Sequence, residues 1–177
     1  MEFLMAISLA LAPGECRTIA DFSDPAERAR WQVVNDGVMG GLSRGGLSPA
    51  GEALRFSGQI VTDGGGFSSI RRDLAPAAID GASHVRVTMR GDGRQYQLSL
   101  RSDQNVSGRR VAYRGDLEPE GAMASVAIEA LSPSLFGQAL RGPGYDLSSA
   151  HSIGVILADG RDGPFELDLM AIEACRE

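Results

Sequence analysis

Two histidines and two cysteines are all the imidazoles and thiols in this chain of 177 residues, so its capacity for catalysis can be judged residue by residue. His84 and His151 fall in strand-like segments with polar faces, which suits surface or hydrogen-bonded rings better than a general base. Cys16 and Cys175 do not combine with these histidines at the spacing of a zinc site, and no acidic ladder resembles a calcium loop. No metal and no cofactor is therefore expected. Nor does the chain hold a Gly-x-Ser-x-Gly elbow, a His-Glu-x-x-His helix or a dinucleotide fingerprint, and "DGGGFSS" lacks the ending of a phosphate loop. Asp63 with Asp73, or Asp159 with Asp162, would support glycoside chemistry only if a cleft held them at a defined separation. The expectation is a protein that binds without catalysing.

Recognition is a better match to the residues present. Lysine and arginine together number 17, every one an arginine, and this planar cation suits carboxylate or phosphate groups. A net charge of -6 argues against nucleic acid as the partner, since that binding needs clustered positive charge. Three glycine-rich stretches stand out: "WQVVNDGVMGGLSRGGL" from residue 31, "DGGGFSSIRR" from 63 and "RGDGRQY" from 90. Their candidates for a shared binding rim are Asn35, Asp36, Met39, Gly40, Gly41, Ser43, Gly65, Gly66, Phe67, Arg71, Arg90, Asp92 and Arg94. Asn35 or Asp36 can accept bonds from local amides, and Arg71 or Arg90 is expected to pair with Asp36 or Asp92 as a bidentate fork. Met39 and Phe67 are expected to fill the core beneath the turns, with Trp31 and Tyr96 as anchors. The other reading of the glycines is that they only specify the fold.

Strands must position these residues. Val85, Val87 and Met89 alternate with polar neighbours, as do Tyr96, Leu98 and Leu100, and "GDG" at 91 to 93 predicts a tight hairpin between them. "ALRFSGQI", "GFSSIRR", "HSIGVILAD" and "PFELDLMAI" continue the pattern, so the class is an all-β sandwich or barrel. A short helix is predicted at Pro25 to Arg30, capped by Asp24 with Glu27 completing a capping box, and a second helical turn near residues 131 to 136. Residues 16–177 read as one domain. Residues 1–15 read as a signal peptide or N-terminal extension, because the apolar run from Phe3 to Ala12 is too short for a membrane span and fits either a signal-peptide core or a first strand. The location is periplasmic in the first case and cytoplasmic otherwise. Cys16 and Cys175 lie near the two ends of the domain and form one disulfide in an oxidising compartment, or else remain as buried thiols.

The motifs together resemble the CIA30 family, named for the complex I intermediate-associated protein of mitochondria. Trp31, the run Asn35 to Ser43, Phe56 with Gly58, Gly65 to Arg71 and Arg90 to Tyr96 follow the family's order, over about Asp21 to Ala174. The chain departs from it at Asp63 and Gly64, where an asparagine is usual, and at Met123, where a tryptophan is usual. The resemblance implies a galactose-binding-domain-like jelly-roll β-sandwich with one or two short helices. It also implies a non-enzymatic protein-binding role in complex I assembly, with an assembly intermediate held on the glycine-rich rim. The alternative on the same fold is a carbohydrate- or small-ligand-binding module, for which Trp31, Tyr96, Tyr113 and Tyr145 are the candidate rings.

Overall fold

The computed structural model describes residues 11–135 and 138–177. The expected signal core, and the alternative first strand there, fall mainly on residues 1–10 and lie outside the described residues. In chain order the strands are β1 (Cys16–Asp21), β2 (Gln32–Asn35), β3 (Arg44–Ala50), β4 (Ala53–Ile60), β5 (Ser68–Asp73), β6 (His84–Arg90), β7 (Tyr96–Ser102) and β8 (Asn105–Val106). They continue as β9 (Arg109–Arg110), β10 (Ala112–Asp116), β11 (Pro119–Glu120), β12 (Met123–Ala127), β13 (Ser132–Leu135), β14 (Gln138–Ala139), β15 (Ala150–Leu157) and β16 (Gly163–Cys175). One short helix, α1 (Pro25–Arg28), precedes β2.

Two antiparallel sheets of seven strands each face one another across the core. The first has the order β11-β12-β6-β16-β4-β3, with β1 also paired to β16; the second has the order β14-β13-β10-β7-β15-β5-β2. The period-2 alternation of the sequence accounts for the layering. Leu98, Leu100, Ile153, Val155 and Ile70 point inward from the second sheet, and Val85, Val87, Leu167, Leu169 and Phe56 from the first, all fully buried. Strand β16 is the longest at 13 residues, and it pairs with β4 along its first half and with β1 along its second. Cys16 and Cys175 face each other in the β1/β16 register and are joined by a disulfide.

Three local expectations are corrected. "GDG" is not a hairpin: β6 and β7 belong to different sheets, so the segment carries the chain across the end of the sandwich. Alternation reports which face of a strand is buried, and strands in opposite sheets facing one core alternate just as hairpin partners do. Ser132–Leu135 is strand β13; the helical turn comes just earlier, as a 3-10 turn at Ile128–Ala130, while Phe136 lies outside the described residues. Asp24 does cap α1 through the Ala26 amide at 2.9 Å. Glu27, however, does not reach back to complete a capping box: it accepts from Trp31 Nε1 at 2.9 Å and lies 2.6 Å from Arg72 Nε. A buried indole and a buried guanidinium compete better for this carboxylate than an exposed backbone amide does.

Trp31 is buried against Phe22, ring centroids 5.2 Å apart, and its only polar atom is satisfied by Glu27. Replacing Trp31 by alanine should cost about 3–5 kcal/mol, measured as the shift of the denaturant midpoint; a midpoint unchanged from wild type would remove the ring from the core.

Candidate functional site

Two of the three glycine-rich stretches meet at one carboxylate. Asp36, at the start of a 3-10 turn (Asp36–Met39), is fully buried. Its Oδ1 accepts from the Ser43 amide at 2.9 Å, and its Oδ2 from the amides of Gly66 at 2.6 Å and Phe67 at 3.2 Å. Beside it Asn35 Oδ1 accepts from the Gly45 amide at 3.0 Å and from Ser68 Oγ at 2.6 Å, and Ser43 Oγ bridges both backbone groups of Val61. Glycine is needed here for room. A Cβ on Gly41 would lie 2.3 Å from the Asp36 carboxyl carbon, and one on Gly65 2.5 Å from its Oδ2. Gly40 closes the turn with φ of 85°. Burial by itself raises the Asp36 pKa, but the Ser43 side chain and the Gly66, Phe67 and Ser43 amides outweigh it and hold the carboxyl below its usual value.

This knot carries an apolar turn outward. Val38 is 76% exposed, Leu42 60% and Met39 47%, so Met39 is not the core filler expected of it. Phe67 is half-buried, and with Val38 and Met39 it lines a groove of about 380 Å³ on the outer face of the second sheet. Both residues leave the core because the amides of Gly66 and Phe67 are committed to Asp36 and the space beneath is filled by that carboxylate.

The groove is cationic. Arg71 on β5, Arg101 on β7, Arg110 on β9 and Arg114 on β10 line it together with Ser69, Ser99, Ser134 and Ser152, and no acid is among its lining residues. The strand registers put Arg114, Ser99, Gly154 and Arg71 in one row, two large cations flanking two small residues. Among the described residues no ion pair engages any of the four guanidiniums, and Arg114 Nε is buried without a hydrogen-bond partner. Lost hydration, and then the charge of Arg71, lower the Arg101 pKa; lost hydration, and then the charge of Arg101, lower that of Arg114. Arg101 is nonetheless exposed overall, so its desolvation is partial.

The remaining candidates lie elsewhere. Arg90 binds Asp168 at 3.0 Å on the first sheet, where Arg55 grips the same carboxylate at 2.7 and 2.9 Å. Asp92 accepts from Tyr96 Oη, the Arg94 amide and the Glu166 amide, and Arg94 forks onto Asp159 at 2.9 and 2.6 Å. The expected pairing of Arg71 or Arg90 with Asp36 or Asp92 is thus replaced: backbone amides already satisfy Asp36, and Asp168 lies directly between Arg55 and Arg90 in the strand register. Trp31 and Tyr96 are buried, so neither offers a stacking surface. Sequence reasoning passed over Arg101, Arg110, Arg114 and Ser99; the signal was the polar phase of the alternation in "QYQLSLRS" and "AYRGD", which faces away from the core.

Replacing Asp36 by asparagine would turn an amide toward the donors of Gly66 and Phe67, and should destabilise the fold by about 2–4 kcal/mol. Because the folded pKa is depressed, the Asp36 contribution is complete above the unfolded value of about 3.9 and is lost as pH falls through the lower folded value. The stability gap between wild type and variant, measured by urea denaturation, should therefore be constant near neutrality and narrow below about pH 4; a gap that widens in acid would contradict the assignment.

Comparison with known proteins bears on the fold and the family. No curated protein matches the sequence significantly. Among solved structures, the family 11 carbohydrate-binding module of a cellulosomal cellulase of Clostridium thermocellum superposes with a TM-score of 0.64 at 13% identity, over 94% of this chain and 97% of that one. The Clostridium thermocellum module in complex with a β-1,3-1,4-mixed-linked tetrasaccharide gives 0.63 at 16% identity, over 93% and 97%. An agarase gives 0.59 at 14% identity, over 93% of this chain and 25% of the enzyme. At these identities the likeness is one of fold, the jelly-roll β-sandwich. The family model described as Complex I intermediate-associated protein 30 (CIA30) matches residues 20–169, a span that contains the Asp36 knot and all four groove arginines, and the chain belongs to that family.

Proposed function

We infer that the chain is a non-enzymatic protein-binding module that holds an assembly intermediate of respiratory complex I, as its family description suggests. The observation that carries this reading is the exposed apolar turn. Val38, Met39 and Leu42 are three of the four exposed large hydrophobic residues among those described, they are neighbours in sequence beside the Asp36 knot, and Val38 and Met39 line the groove. Contiguous apolar side chains held open to water on a rigid support are the usual anchors of a protein partner. The groove beside them supplies polar groups for orientation.

A second reading, a carbohydrate-binding module, draws on the serine hydroxyls along the groove and on the fold shared with a module solved with a tetrasaccharide. It has one lining ring, Phe67, on which a sugar face could stack. The apolar turn has no role in it.

The two readings separate in one experiment. Affinity-tagged protein purified from its own cells should bring complex I subunits with it, identified by mass spectrometry, and a Val38→Ser, Met39→Ser, Leu42→Ser variant should lose them while its melting temperature stays within about 2 °C of wild type, as for exposed positions generally. Equal recovery of those subunits with the variant would sink the protein-binding site. Retardation of the protein in gels containing neutral glucan, with no subunit recovered, would favour the second reading.

A further inference from the structure

The groove has a charge pattern that its surroundings do not explain. The chain as a whole is acidic at -6, and several arginines outside the groove meet carboxylates, Arg55 and Arg90 with Asp168, Arg86 with Glu173, Arg94 with Asp159 and Arg72 with Glu27, whereas Arg44 on β3 stands exposed and apart from the groove. On the outer face of the second sheet, Arg71, Arg101 and Arg114 converge with Arg110 of the separate β8-β9 ribbon, without one acid among the lining residues. Asp116 and Asp73 share that face outside the groove's lining: the Asp116 carboxylate accepts from Gln97 Nε2 at 2.7 Å, and Asp73 lies exposed at the end of β5, opposite Ser152 in the row that holds Arg101. Four like charges in one trough repel each other, and a partner that brings negative charge relieves that repulsion.

We propose that this groove docks an extended acidic segment of the protein partner, with carboxylates engaged by Arg71, Arg101 and Arg114 and adjoining aliphatic residues covering Val38 and Met39. The inference rests on the protein-binding reading above and names the chemistry of what is bound. Spacing supports an extended chain. Arg71 and Arg114 are three strands apart in one row, about 14 Å at about 4.8 Å per strand. Side chains at i and i+4 of an extended peptide lie at about the same separation, at about 3.4 Å per residue. A third carboxylate at i+2 then falls over Ser99 and Gly154, small enough to let it approach, and within the span that Arg101 commands from the neighbouring row. Guanidinium forks favour planar carboxylates, and the apolar residues at one side of the trough give the segment a direction.

The test uses the full chain and a capped synthetic peptide, Leu-Val-Asp-Thr-Asp-Thr-Asp-Val-Leu, followed by fluorescence anisotropy. The expected result is saturable binding that weakens with added salt, with the isostere carrying Asn for each Asp bound about tenfold or more weakly. Arg71→Gln and Arg114→Gln should each weaken binding about tenfold, whereas Arg44→Gln, an exposed arginine outside the groove, should not. Neither groove variant should lower the melting temperature, because each removes a repelled charge that makes no ion pair; retained folding keeps a loss of binding interpretable. Binding that ignores the Asp-to-Asn change or the groove variants would overturn the proposal. So would binding of polygalacturonate without binding of the peptide, which would assign the arginines to an acidic polysaccharide. If complex I subunits still co-purify with an Arg71→Gln, Arg114→Gln double variant, the acidic-segment proposal fails while the protein-binding reading stands.

Discussion

One buried carboxylate organises the end of the sandwich that carries the groove. Asp36 accepts from backbone amides on two separate loops, at Ser43 on one side and at Gly66 and Phe67 on the other. Without it those donors would be enclosed with no partner, at a cost of about 1–3 kcal/mol each. No ion pair engages Asp36 among the described residues, so amide dipoles and the Ser43 side chain stabilise its charge. The glycines follow from this one residue. Its carboxyl group occupies the volume that Cβ atoms at Gly41 and Gly65 would need, so both glycine runs are shaped around a single acid. They build the site from behind, and the surface they present to solvent is the apolar turn.

The two sheets use arginine in opposite ways. On the first, Asp168 is nearly buried between Arg55 and Arg90, and the charges compensate within the fold. On the second, Arg71, Arg101 and Arg114 sit one to three strands apart with serine and glycine between them. Stability alone would favour apolar or mixed-charge residues there, since the cluster forgoes hydrogen bonds and adds repulsion. On the first sheet Asp168 sits among arginines that compensate it, and on the second the groove arginines face one another across small residues.

Much of the fold was legible in the sequence, and the limits were physical ones. Alternation in "HVRVTMR" and "QYQLSLR" identified two half-buried strands, now β6 and β7, but alternation says nothing about which sheet a strand joins, so a crossover was read as a hairpin. The family resemblance drew attention to Asn35 through Ser43 and Gly65 through Arg71, which do meet; what it did not convey is that Asp36 faces inward and Met39 outward, since a turn has no periodicity from which to read direction. Arg101 and Arg114 belong to no motif. They become a pair only once β10, β7 and β15 are aligned, and that long-range register is not recorded in local spacing.

Closure of the first sheet also explains why the second can afford an exposed cationic face. Strand β16 pairs with β1, β4 and β6, and the disulfide between Cys16 and Cys175 ties the start of β1 to the end of β16 across 159 residues. In the chain-entropy model, closing a loop of that length stabilises the fold by about 5 kcal/mol. With β1 and the end of β16 held there, the second sheet contributes its inward apolar row to the core, and its outward row carries the polar and cationic residues of the groove. A rigid β-sheet floor also keeps the arginines of that row at fixed separations before any ligand arrives, which lowers the ordering cost of binding an extended segment. The apolar turn that sets the edge of the groove is pinned by the amide bonds to Asp36.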